Sequence, residues 1–265
     1  MIFSPSLEMV FADTELAFEE RMRLIRRLGF GAFEFWGWWN KDIGAIDRER
    51  RRLGLEIASF CTRMIPLTDP ARRAEFVDGL RESLEAAARL ECRTLIAQTG
   101  PERGDMDRAE QRRSVIDGLR ACVPHLEAAG VQLVVEPLNT RIDHPGYFLT
   151  TTREACDILE QVGSPSVKLL FDVYHQHITE GNLISNLTDN IGKIGYLHIA
   201  DHPGRHEPGT GEIHYGGVLE AIRLAGYRGY VGLEFRPTGH PADALAPYAD
   251  RTATGKERQA DANAI

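Results

Sequence analysis

Between Val131 and Glu234 the chain repeats one design four times: VQLVVE (131–136), VKLLFD (167–172), IGYLHI (194–199) and YVGLE (230–234). Each run is rich in Val, Ile or Leu and is bounded by turn residues, the pattern of a buried strand. Each also carries one polar residue at or beside its C-terminal end: Glu136, Asp172, His198 and Glu234. Strand ends of a parallel barrel open on one face. Four such tips therefore read as the mouth of one barrel with a hard metal ion in it.

Four more strands are expected upstream, at Ile2–Val10, Phe30–Phe35, Leu55–Phe60 and Arg93–Ala97. Helical patterns lie between the strands. Asp13 or Thr14 is expected to cap the first helix, which Gly29 stops. The next spans Ile43–Leu53. Asp69-Pro70 opens another that reaches about Leu90. The longest covers Asp105–Ala129, with a break expected at Pro124 and a stop at Gly130. Further helices are read at Thr151–Val162, Leu183–Ile191 and Tyr215–Leu224, with a last one near Pro241–Thr252. Repeated strand–helix units predict an α/β fold with parallel strands, and eight units in a chain of 265 residues predict a single (β/α)8 TIM barrel. The rival is a doubly wound open sheet, but no Gly-x-Gly-x-x-Gly follows the first strand. With no linker in view, residues 1–265 read as one domain, and the polar, alanine-rich tail from about Thr252 is expected to fray or pack outside.

The formal net charge is -8, with 43% apolar and 26% charged residues. That balance suits a globular enzyme or binding protein and speaks against a nucleic-acid partner. Cys61, Cys92, Cys122 and Cys156 form no close pair, so four free thiols in a reducing cytoplasm are expected. The N-terminus lacks a basic region ahead of an apolar core, and no apolar run reaches the length of a membrane span.

Glu136, Asp172, His198 and Glu234 are each about one strand–helix unit apart, so their side chains should converge. Three carboxylates and an imidazole suit one divalent ion (Mg²⁺, Mn²⁺ or Co²⁺), and without thiolates the set is not a structural zinc site. Taken singly, a Glu after a strand is commonly solvent-exposed, and His198 in an apolar run would more often be a core histidine. His175 and His177 follow Asp172, and either could face the pocket. Arg205 sits in a Gly- and Pro-rich loop, DHPGRHEPGTGEI, and could pair with a carboxylate or phosphate. Asn139 and Arg141 follow Glu136 closely enough to contribute hydrogen bonds near the mouth, and Arg141 could instead orient Glu136. Glu34 and the cluster Trp36, Trp38 and Trp39 end the second strand; the tryptophans, Trp38 among them, would wall a pocket or form a subunit contact. Gln98, at the fourth strand tip, is a further inward polar candidate.

A divalent ion can polarise an α-hydroxycarbonyl and stabilise the enediolate formed on proton loss. Glu136 and Glu234 are then the pair that exchanges protons with adjacent carbons, giving aldose–ketose isomerisation or epimerisation. VVEPLNTRIDHPGYFL, LLFDVYHQHITEGNL, YLHIADHPGRHEPGTGEIHY and GYVGLEFRPTG resemble the hydroxypyruvate isomerase family, within the xylose isomerase-like barrel group. The resemblance runs from Met1 to about Gly239 and is strongest from Glu136 onward. It implies a (β/α)8 barrel that interconverts hydroxypyruvate and tartronate semialdehyde, with Glu136 and Glu234 as catalytic glutamates. By likeness to related ketose 3-epimerases, Glu136, Asp172, His198 and Glu234 bind the metal, and His175 and Arg205 bind substrate. Those epimerases carry a further glutamate where this chain has Ile142, which points away from their pocket for a longer sugar.

The alternatives are an isomerase or 3-epimerase of a longer substrate (a 2-oxo-tetronate, tetrose, pentose or ketohexose), a metal-dependent endonuclease, and a non-catalytic sugar-binding barrel. The expected partner is a small hydroxycarbonyl or sugar molecule, in a homodimer or homotetramer, with no nucleic acid and no membrane.

Overall fold

Eight parallel strands form a sheet in the order β1-β8-β7-β6-β5-β4-β3-β2. They are β1 (Ile2–Pro5), β2 (Ala32–Phe35), β3 (Glu56–Cys61), β4 (Thr94–Ala97), β5 (Gln132–Val135), β6 (Val167–Asp172), β7 (Ile194–Ile199) and β8 (Tyr230–Leu233). A parallel bridge between Ser6 and Glu34 joins the two ends of that order, and the Leu7 N–H donates to the Glu34 carbonyl at 3.0 Å. The sheet is thus a closed barrel and not an open doubly wound sheet. The computed structural model describes residues 1–249, so the tail expected from about Thr252 lies outside the described residues.

Between the strands run α1 (Phe18–Arg27), α2 (Ile43–Leu53), α3 (Arg73–Leu90), α4 (Arg108–Ala129), α5 (Thr152–Val162), α6 (Val173–Thr179), α7 (Leu183–Asp189) and α8 (Tyr215–Leu224), with α9 (Pro241–Ala249) after the last strand. None of the described helices is long and apolar enough to cross a membrane. All four cysteines are buried and free.

Three expectations change. Strand β1 stops at Pro5, not Val10, because the chain turns once the Val10 N–H bonds the Ser6 carbonyl. Neither Asp13 nor Thr14 caps α1. The Thr14 hydroxyl bonds back to the Phe11 carbonyl, and the Glu20 carboxylate accepts from the Ala17 N–H at 2.8 Å. Helix α4 is unbroken at Pro124. Pro124 and Arg120 both lie on its exposed side, where water can satisfy the Arg120 carbonyl that proline leaves without an N–H.

Alternation along the strands places the site. Successive side chains point to opposite faces of a strand. Ala32, Ala58, Ile96, Val134, Leu170 and Tyr196 pack together inside the barrel, while Leu133, Val135, Leu169, Phe171, Leu197 and Leu233 join the larger core beneath the helices. Two residues above Val134, Leu170 and Tyr196 stand Glu136, Asp172 and His198. The inward interior layer therefore continues upward into the polar layer.

Candidate metal centre and active site

Glu136, Asp172, His198 and Glu234 are all buried, and one ligand atom from each can be chosen so that all lie within 4.8 Å of one another. His198 Nδ1 is 3.4 Å from Glu234 Oε2, 3.5 Å from Glu136 Oε1 and 3.9 Å from Asp172 Oδ2. Glu136 Oε1 and His198 Nδ1 are buried without a hydrogen-bond partner. Buried polar atoms seldom stay unpaired, and here two of them face the same small space. A set of three carboxylates and one imidazole fits a single hard divalent ion there.

Each ligand is held by its surroundings. Asp172 caps α6: its Oδ1 accepts from the Tyr174 N–H at 2.7 Å and the His175 N–H at 3.1 Å, so Oδ2 is left for the centre. That short helix was not anticipated from sequence, although an Asp at the end of a strand is a cap signal. His198 turns its other nitrogen, Nε2, to Glu34, with Oε1 at 3.2 Å and Oε2 at 3.3 Å. Glu34 Oε2 also accepts from the Tyr196 hydroxyl at 2.5 Å, and Ser4 Oγ lies 2.8 Å from that hydroxyl. A proton on Nε2, held by Glu34, leaves Nδ1 as the lone-pair donor to an ion. Gly232 makes room for this contact, because a Cβ there would lie 2.4 Å from Glu34 Oε2 and 2.5 Å from His198 Cδ2.

Glu234 receives the Trp36 indole N–H at Oε1 (2.8 Å) and pairs through Oε2 with Arg205. Arg205 also stands 3.7 Å from Asp172 and lies over the Tyr174 ring, its guanidinium carbon 5.2 Å from the centroid. The Asn139 amide meets His175 Nδ1 at 2.7 Å, and the Asn139 backbone N–H donates to the same nitrogen. Two donors on Nδ1 put the ring proton on Nε2, which is buried and unpartnered. His175 thus presents a neutral N–H.

Charge and burial compete here. Burial pushes the Glu136 carboxyl up to about 7, against the opposing pull of His198, and burial also raises Asp172. Burial acts on Glu234 in the same sense, but the Arg205 charge, His198 and the Trp36 N–H outweigh it and hold the group at about 2. Burial disfavours a charged His198, yet Glu34 and Glu234 raise it well above its ordinary value. For His175, burial and the Arg205 charge depress the ring well below that value. A divalent cation among these groups favours the ionised carboxylates and the neutral imidazole.

The centre floors a cavity of about 320 Å³. His175, Arg205 and Gln98 line it, opposite an apolar wall that includes Trp36, Met64, Ile96 and Leu138. His177 is elsewhere, bonded to Glu212 at 2.7 Å, so His175 is the inward one. Trp38 is outside the cavity: its indole donates to Ser83 Oγ at 3.1 Å and its ring stacks under Arg63. Arg141 is exposed and does not support Glu136. Trp36 walls the cavity as one of the two expectations for the tryptophans had it, but its bond to Glu234 and the hold of Glu34 on His198 were not read from the sequence. Their signal was position, since Glu34 and Trp36 occupy alternate places along β2 and beyond it.

A family model described as "Xylose isomerase-like TIM barrel" matches residues 22–254. The chain is 30% identical to hydroxypyruvate isomerase of Escherichia coli over 89% of this chain and 93% of that protein. It is 35% identical to 2-oxo-tetronate isomerase of Cupriavidus necator over 69% of this chain and 71% of that protein. Among solved structures, one titled AP endonuclease, family 2, from Brucella melitensis superposes with a TM-score of 0.89 at 33% identity, covering 94% of this chain and 98% of that one.

Proposed function

We propose a specific reaction for this chain, which belongs to the xylose isomerase-like TIM-barrel family: the interconversion of hydroxypyruvate and tartronate semialdehyde. It is a metal-coordinating enzyme of the isomerase and epimerase superfamily that acts on small sugar or hydroxycarbonyl substrates. The observation that carries the proposal is the pair Glu136 and Glu234, facing each other across His198 Nδ1 at 3.5 and 3.4 Å on the floor of a buried cavity. The net charge of -8 supports a small molecule over a polyanion as substrate.

Glu136, Asp172, His198 and Glu234 would hold the ion. A divalent ion there would supply Lewis acidity toward the substrate carbonyl and toward the negative charge that develops on proton loss. One glutamate takes a proton from the hydroxymethyl carbon of hydroxypyruvate, breaking that C–H bond. The other returns a proton to the former carbonyl carbon, and the hydroxyl proton moves between the two oxygens. The His175 Nε2–H donates to a substrate oxygen and fixes its orientation, and Arg205 balances the charge of Glu234. The apolar wall keeps water from the enediolate.

Metal-depleted protein restored with Mg²⁺, Mn²⁺ or Co²⁺ in D₂O should convert hydroxypyruvate and place deuterium on the reacting carbon, read by NMR. Glu136→Gln and Glu234→Gln should each lower turnover by about 10³-fold or more, with the melting temperature nearly kept. Near-normal turnover in either variant would end the two-carboxylate mechanism, and metal-independent conversion would end the role of the ion.

A further inference from the structure

Arg205 meets the candidate metal centre at the atoms an ion would use. His198 Nδ1 faces Glu234 Oε2 at 3.4 Å and Asp172 Oδ2 at 3.9 Å. Arg205 Nη2 is seated on the same Glu234 Oε2 and lies 3.7 Å from the same Asp172 Oδ2. Asp172 has no other oxygen to give, because its Oδ1 already accepts from the Tyr174 and His175 N–H groups. A guanidinium and a divalent ion in this place compete for one pair of oxygens and repel each other.

The backbone beneath Arg205 is pinned, which leaves the side chain as the part that can give way. Asp201 Oδ1 accepts from the His202 N–H at 2.9 Å and the Ile213 N–H at 3.1 Å, and its Oδ2 accepts from the Gly209 N–H at 2.7 Å. The Arg205 carbonyl accepts from the Arg236 N–H at 2.8 Å. Arg205 itself holds φ 57°, a left-handed conformation that a residue with a side chain keeps only where the surrounding structure imposes it. Its Nε is buried without a hydrogen-bond partner, so nothing at that atom fixes the fork. The guanidinium carbon lies 5.2 Å from the centroid of the Tyr174 ring, a flat face on which the planar group can turn and stay stacked.

Asp143, in the loop after β5, stands at the other nitrogen of the fork. Its Oδ1 is 3.8 Å from Arg205 Nη1, close enough for an ion pair but too far for a hydrogen bond. Its Oδ2 accepts from the Asn139 amide at 2.7 Å. Asn139 is fixed in turn, because its Oδ1 accepts from the Ile142 N–H at 3.0 Å and the Asp143 N–H at 3.2 Å. Burial works against the charge on Asp143, but the Asn139 amide, the Arg205 charge and the Tyr174 hydroxyl hold its carboxyl below the ordinary value. Asp143 is thus an ionised, firmly placed carboxylate with one oxygen turned to Arg205. It does not line the cavity, so any effect it has on the centre passes through its neighbours.

We propose that Asp143 is a positioning residue that receives the Arg205 guanidinium when a divalent ion takes Glu234 Oε2 and Asp172 Oδ2. Arg205 then shifts its close contact from Glu234 to Asp143 while staying beside the centre. The shift leaves Glu234 to the ion and to the proton transfer assigned to it. This rests on the metal centre of the proposed function, not on the identity of the substrate. With the Asp143 charge removed, Arg205 loses its alternative partner and holds Glu234 against the ion.

Calorimetric titration of the metal-depleted protein with Mn²⁺ at one fixed pH tests this through a double-mutant cycle. Asp143→Asn keeps an oxygen for the Asn139 amide and removes the charge. It should weaken Mn²⁺ binding by about tenfold or more when Arg205 is present, and by no more than about twofold in an Arg205→Met background. Equal weakening in both backgrounds would make Asp143 a mere distant charge and overturn the proposal, as would unchanged affinity beside an intact Arg205. A crystal structure of the parent with Mn²⁺ bound gives a second readout that does not depend on how Arg205→Met folds. Arg205 Nη1 should then stand within hydrogen-bond distance of Asp143 Oδ1, and a guanidinium still seated on Glu234 Oε2 would refute the shift. A parent that binds none of Mn²⁺, Mg²⁺ and Co²⁺ would bring down the metal centre and the shift together. Inert hydroxypyruvate beside the expected affinities would instead overturn the proposed reaction and leave the role of Asp143 standing.

Discussion

The two halves of the barrel end at the same face but do different work. Strands β5 to β8 bring Glu136, Asp172, His198 and Glu234 together, so that half supplies all four candidate ligands. Strands β1 to β4 supply Ser4, Glu34, Ser59 and Gln98 with a neighbouring apolar wall, and a groove lined by Met64, Gln98, His144 and Tyr147 opens between the loops after β3, β4 and β5. One half holds the chemistry, while the other orients a ligand and shapes the space for substrate. Strand tips are interchangeable as scaffolding, so the division of labour comes from which residue types sit at the inward positions.

Glu34 is where the two halves meet, and it offers the sharpest way to break this division. Glu34→Gln should weaken divalent-ion binding by about 10- to 100-fold, measured by calorimetry, with the fold retained. Affinity within about twofold of the parent would mean that the first half does not orient the centre.

Acidity is the next lever. Burial lifts Glu136 to about 7, and Glu34 and Glu234 lift His198 against its burial, so both groups hold protons that an ion must displace. Below pH 7 the protonated forms dominate. The apparent affinity should therefore fall by about tenfold or more for each unit of pH lost, with proton release on binding. Titrations at pH 6 in two buffers of different ionisation enthalpy check this, and identical heats in the two buffers would contradict it.

The smallest effects come from a pair of tryptophans two residues apart. Trp36→Phe removes the N–H on Glu234 and should lower turnover several-fold at nearly unchanged stability. Trp38→Phe removes the bond to Ser83, and should cost about 1 kcal/mol of stability while leaving turnover within about twofold. Thermal melts and steady-state rates on both variants separate the two roles, and similar turnover losses would erase the distinction drawn between them.

Much of this was legible in the chain. The period-two alternation in VQLVVE and VKLLFD, the Gly stops and the repeated strand–helix unit specify an inward layer with polar tips, and that pattern is local. Helix α6 escaped notice because it follows β6 with no loop between them, and because Asp172 serves at once as strand end, cap and ligand. The extent of β1 was misplaced because the Val10 N–H turns back to the Ser6 carbonyl within an apolar run, and the start of α1 because Asp13 and Thr14 resemble caps although the Thr14 hydroxyl bonds the Phe11 carbonyl and Glu20 takes the Ala17 N–H. Trp36 and Trp38 look alike in sequence; the chain leaves the strand after Phe35, and only packing sends one indole to Glu234 and the other to Ser83.

Residue type and short-range period suffice to specify the barrel, the four converging tips and the donor chemistry. Tertiary structure alone decided that Glu34 reaches across the barrel to His198, that His175 rather than His177 turns inward, and that three loops close into a groove. Those outcomes depend on distances between strands far apart in the chain, and on glycines such as Gly232 and Gly100, whose missing Cβ permits approaches that no local pattern encodes.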